Sequence, residues 1–127
     1  MLLPGLARAA TLEVVVANVR NANGHVRVAA CTQRTFTKEF CEHNGSARSA
    51  AGETTVRLDV PPGVWAVQAY LDENDNEKVD QNFLGLPTEG IGFSNDAPIR
   101  LGPPSYGDAA FQLGAGGGRI RLSLRYY

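Results

Sequence analysis

In "TTVRLDV" (54–60), Val56, Leu58 and Val60 alternate with Thr55, Arg57 and Asp59. "RIRLSLRY" (119–126) repeats the device, with Ile120, Leu122 and Leu124 set against Arg119, Arg121, Ser123 and Arg125. A period of two is what a strand needs when one face is buried and the other wet, and no segment shows a sustained helical period. The chain is therefore confined to all-β solutions. "TLEVVVANV" (11–19) and "HVRVAAC" (25–31) read as strands joined by "RNANG", where Asn23-Gly24 predicts a tight hairpin. "PPG" (61–63) turns the chain into "VWAVQAYL" (64–71), apolar on both faces as in a central strand. "AAFQL" (109–113) is expected to pair with the last strand across "GAGGG", and 32–52 to be loop with one helical turn setting Phe36 and Phe40 against the sandwich edge. Six or seven short strands predict a two-sheet antiparallel sandwich of immunoglobulin-like or transthyretin-like build, with one long ordered loop.

The chain has 127 residues, 43% of them hydrophobic, which suits one domain over residues 11–127. Twelve basic residues against 13 acidic ones give a net charge of -1, without the positive field of a nucleic-acid binder. No apolar run reaches the ~20 residues of a transmembrane helix. "MLLPGLARAA" (1–10) is apolar and holds Ala7-Arg8-Ala9, the A-x-A form of a signal-peptidase site, so it reads as a signal-peptide remnant and the protein as periplasmic or secreted. Cys31 and Cys41, with nine residues between them, fit a short disulfide ring in an oxidising compartment.

Residues 72–97 form a long stretch without a convincing strand, yet carry Phe83, Leu84, Leu86, Ile91 and Phe93. Loops beyond about 12 to 15 residues need a function or a ligand to order them. The stretch opens on "DENDNEKVD" (72–80), five carboxylates against Lys78 alone. Asp72, Asn74, Asn76 and Asp80 stand at positions one, three, five and nine, with the Lys78 carbonyl at seven, the spacing of a calcium loop. Glu77 replaces the turn glycine at position six and Phe83 the glutamate at twelve, leaving Glu89, or the spare acids Asp75 and Glu77, to close the site. A calcium ion held here would pin the long loop, with an affinity of roughly 10⁻⁵ to 10⁻³ M.

"YLDENDNEKVDQNFLGLPTEGIGFSNDAP" followed by "GPPSYGDAAFQL" resembles the bacterial domain-of-unknown-function 2141 family, over about residues 12 to 124. That resemblance implies a small exported β-sandwich and brings no established activity. The family loop usually reads like "DENGNGKLD", so Asp75 and Glu77 stand here where it has glycines.

Other chemistry is sparse. His25 and His43 read as exposed surface, and no histidine lies near the acidic loop, which counts against a catalytic metal. The G-x-S-x-G elbow is absent, the chain ends Arg125-Tyr126-Tyr127 where transthyretin-like ureide hydrolases end Tyr-Arg-Gly-Ser, and "GAGGG" lacks the third glycine of a dinucleotide loop. Arg119, Arg121 and Arg125 could grip an anionic partner, but charge on an exposed strand also discourages edge-to-edge aggregation. The reading is a non-enzymatic exported module binding an envelope or extracellular protein or glycan, stabilised by one calcium ion. The alternatives are a metal-dependent envelope hydrolase acting at the same loop and a structural domain with no ligand.

Overall fold

The computed structural model describes residues 9–81 and 86–127. Among these residues eight strands run: β1 Ala10–Val19, β2 His25–Cys31, β3 His43–Arg48, β4 Gly52–Val60, β5 Gly63–Asp72, β6 Ile91–Phe93, β7 Phe111–Leu113 and β8 Gly118–Ser123. A four-residue helix, α1 (Tyr106–Ala109), precedes β7. One sheet has the order β4-β1-β8, and the other β3-β2-β5-β6 with β7 paired to the start of β5. The protein is an all-β sandwich. Most pairings are antiparallel, but β1 and β8 run parallel, with Val14 opposite Ile120 and Val16 opposite Leu122.

The alternating strands supply the core as their pattern requires. Val56, Leu58 and Val60 face Val26, Val28 and Ala30 across the sandwich interior, all at most 4% exposed. Leu122 and Leu124 are fully buried, Ile120 is half-buried against the same core, and Arg119, Arg121 and Arg125 are exposed. Ala10 is buried at the start of β1 and paired with Val60.

Three expected connections differ. β1 pairs with β4 and β8, and β2 with β3 and β5, so "RNANG" crosses between sheets and closes no hairpin. Gly24 has φ +63, and a Cβ there would stand 1.9 Å from the Asp72 carbonyl oxygen, so the crossing is wedged against the base of the acidic turn. β7 and β8 likewise belong to different sheets and form no hairpin. Within 32–52, "HNGSAR" is strand β3, since Gly45 lets the backbone lie against Leu58 and Val56 where a side chain would clash.

A second, smaller cluster decides where the outside of the larger sheet is covered. Cys31, Phe36, Ala66, Ala97 and Ala109 pack together on its outer face, with Phe36 edge-on to Phe93 and Tyr106. The buried Ser94 hydroxyl fastens this cover, accepting from Val67 N at 2.9 Å and donating to Ala109 O at 2.5 Å. Phe40, expected at the edge with Phe36, stands 79% exposed. Among the described residues, the cover stops there and leaves the rest of that face open.

Candidate functional site: an acidic turn beside an open sheet face

Two cross-strand rows floor the open face. Asn44, Ala29, Gln68 and Phe93 lie opposite one another in register, and so do Ser46, Arg27, Tyr70 and Ile91. Polar groups occupy the β3 end of both rows and apolar ones the β6 end. The rows lie in a groove of ≈ 1390 Å³, walled by Thr37–Phe40 on one side and by parts of 77–87 and 99–103 on another. Cys31 and Cys41 are bonded, with Cα atoms 4.9 Å apart, so the first wall sits inside a closed covalent ring. Gln68 fixes that wall to the floor, accepting from Thr37 N at 2.8 Å and donating to Lys38 O at 2.9 Å. Glu42, at the end of the ring, accepts from the Thr35 and Thr32 hydroxyls, which hold its carboxyl down at about 2.

Six large apolar side chains are markedly exposed among the described residues: Phe40, Val64, Val79, Leu86, Leu101 and Tyr127. Phe40, Val79, Leu86 and Leu101 all line this groove. Exposed apolar side chains scattered singly need no explanation, but a gathered patch marks a surface meant to be covered.

The acidic turn forms part of the second wall and is built from its base upward. Asp72 ends β5 and is fully buried. Its Oδ2 accepts from Arg27 Nε at 2.6 Å and Glu77 N at 2.9 Å, and its Oδ1 from Asn76 N at 3.2 Å. The bond to Asp72 holds the Arg27 guanidinium above its ordinary pKa. Burial, then the charge of Asp72, pushes the neighbouring Tyr70 hydroxyl up to about 12. Arg27 was not singled out from sequence; its outward place in "HVRVAAC" was legible, but its acidic partner came only with the β2–β5 register.

Asn74 and Asn76 both donate to the Asp80 carboxylate at 2.7 Å, so three of the predicted ligands converge. Glu89, predicted as a closing ligand, does a different job. It is 4% exposed, and its carboxylate accepts from Glu73 N at 2.9 Å and Asp80 N at 3.1 Å, clasping the two ends of the turn. Burial raises its pKa, against those two backbone bonds. Lys78 lies on the outer rim, where its N–H donates to Asn76 Oδ1 at 3.1 Å. Among the described residues, no three His, Cys, Asp or Glu side chains group tightly enough to hold a metal by themselves. The side chains that could supply oxygens to a hard cation are Asp80 and the amides of Asn74 and Asn76 turned to present oxygen. Phe83 and Leu84, expected to pack once the turn is pinned, lie outside the described residues.

Asp75 and Glu77, standing where the family has glycines, have φ of 54 and 61. The backbone keeps a glycine-like turn without glycine. The stretch 72–97 also contains the strand β6, bonded to Tyr70 and Gln68 of β5 on one side and to Arg125 on the other. The histidines are less exposed than their sequence setting suggested. His25 is brought to the loop by β2, with Nδ1 2.8 Å from Asp75 Oδ1, and His43 packs edge-on to Trp65 with ring centroids 5.1 Å apart. Glu73, off the ligand spacing, is bound by Arg20 and by Asn21 Nδ2. On the opposite sheet Arg57 and Arg119 pair with Glu13 at 3.0 Å and Arg121 with Glu53 at 2.5 Å, so most of the arginine stripe is internally neutralised.

Neither a curated protein nor a solved structure matches the chain. The family described as an uncharacterized protein conserved in bacteria (DUF2141) matches residues 14–121, spanning β1 to β8 and both the turn and the groove, and the chain belongs to that family.

Proposed function

We propose that this domain is a non-enzymatic binding module of the bacterial envelope or extracellular space, which takes its partner in the open groove of the larger sheet. The observation that carries the reading is the gathering of Phe40, Val79, Leu86 and Leu101 around one floor. The Cys31–Cys41 bond supports an oxidising compartment, and with it export. The convergence of Asn74, Asn76 and Asp80 supports a weak calcium site whose ion stiffens the wall beside the groove. His25 gives the hydrolase alternative a histidine at the loop, but its ring is engaged with Asp75 and stands apart from the converging ligand set.

The test is retention on envelope fractions of the producing bacterium. Phe40→Ser with Leu101→Ser alters two exposed side chains, so the melting temperature should hold while retention is lost. Val64→Ser, an exposed apolar position away from the groove, should leave retention intact. Equal retention of all three proteins would refute the groove as the binding surface.

A further inference from the structure

Resting on the groove reading, we infer that the occupant is an extended peptide segment carrying apolar anchor side chains and acidic residues. Three features select this class. The β6 end of the floor is apolar, with Ile91 and Phe93 flanked by Leu86 and Leu101, and offers seats for aliphatic or aromatic side chains. A neutral glycan would have little to place there. Ser46 on β3 and Tyr70 beside Ile91 also line the groove, and their hydroxyls have no hydrogen-bond partner among the described residues. An acyl chain would strip water from these groups without replacing it, which costs free energy. A peptide backbone can bond them.

Charge completes the selection. Among the described residues the groove is lined by Arg27, Lys38, Lys78 and Arg100 against Glu39 and Glu77. Lys38, Lys78 and Arg100 have no ion pair among the described residues, whereas the protein as a whole is at -1. With Arg27 paired to Asp72, and Glu39 and Glu77 as free of ion pairs among the described residues as the three cations, the lining keeps one positive charge in excess on a slightly acidic molecule, which favours carboxylates. Each row crosses four strands, about 14 Å at the usual ~4.8 Å strand spacing, so about five extended residues span it. The volume of ≈ 1390 Å³ exceeds the ~300 to 1,000 Å³ usual for small-molecule sites, again favouring a chain.

The experiment is amide chemical-shift mapping of the disulfide-intact protein with four probes. These are short peptides alternating Leu or Phe with Asp, the same peptides with Lys for Asp, and two competitors of other chemistry: vesicles of phosphatidylglycerol and phosphatidylethanolamine, and oligogalacturonate. The Asp peptides should shift residues of the two rows and of Thr37–Phe40, with the Lys peptides at least about tenfold weaker. Lys38→Glu with Arg100→Glu should weaken the Asp peptides about tenfold and favour the Lys peptides. Equal binding of Asp and Lys peptides would overturn the inference. Shifts of the rows by vesicles or oligogalacturonate but not by peptides would also overturn it while leaving the groove as a binding surface, and loss of the groove reading itself is reported separately by the envelope-retention assay.

Discussion

Replacing Glu77 by glycine should stabilise this protein, although glycine substitutions usually do the opposite. Glu77 sits at φ 61, donates its N–H to Asp72 Oδ2 at 2.9 Å and leaves its side chain exposed on the rim of the turn. A residue with a Cβ pays roughly 1 to 2 kcal/mol for the left-handed conformation. Glycine escapes that cost but gives up roughly 0.5 to 1 kcal/mol of extra unfolded-chain entropy. The balance is a gain of about 0.5 to 1 kcal/mol, a rise in Tm of roughly 2 to 4 °C. Removing a carboxylate from beside Asp72, Asp75 and Asp80 acts in the same direction. Urea unfolding and thermal melts, both in chelator so that no cation contributes, would measure it. Glu39→Gly serves as control, because Glu39 is exposed without a left-handed φ and should lose roughly 0.4 to 1 kcal/mol. A Glu77→Gly protein no more stable than wild type, alongside a normally destabilised Glu39→Gly, would refute the strained-turn argument.

Other consequences can be checked with the same assays. Millimolar calcium should raise the wild-type melting temperature over chelator, by several degrees if Kd is about 10⁻⁵ M, where a hundredfold excess contributes roughly 2.7 kcal/mol, and Asp80→Ala should abolish the difference while Glu73→Ala keeps it. Arg27→Gln strands the fully buried Asp72 carboxylate and should cost about 2 to 3 kcal/mol, below the usual range for broken buried pairs because the Asn76 and Glu77 N–H bonds remain; a cost under about 0.5 kcal/mol would show that the pair carries little. Glu42 has its pKa lowered from 4.5 to about 2, so its contribution is present above 4.5 and disappears as pH falls toward 2. Stability curves of wild type and Glu42→Gln should therefore converge over that interval, and parallel curves would contradict the Thr32 and Thr35 bonding.

Sequence periodicity told which residues of β4 and β8 face inward, because a strand's side chains alternate whatever lies beside it. It did not tell which strands are neighbours. β1 and β8 proved to be a parallel pair distant in sequence, and "RNANG" links two sheets, since Gly24 is needed for close passage under Asp72 as much as for a turn. β3 escaped notice because "HNGSAR" has no apolar alternation, and it is a strand by virtue of β2 and of the room Gly45 leaves for Leu58. In the acidic turn, Asn74 and Asn76 meet Asp80 through hydrogen bonds, a closeness that their short spacing in the sequence allows. The roles of Arg27 and Glu89 were hidden, because both reach the turn from elements whose registers only the fold determines. The groove itself has no sequence signature, being the part of a sheet face that Phe36, Ala97 and Ala109 leave uncovered.

The central claim, that this uncovered face receives a partner, is tested most directly by photo-crosslinking in the producing cells. A benzoylphenylalanine at position 40 or 101 would project from the groove, and one at 64 or 127 from exposed apolar positions outside it. The structure predicts one adduct of the same mass from both groove positions and none from the other two; silence at 40 and 101, or the same adducts from all four positions, would contradict it.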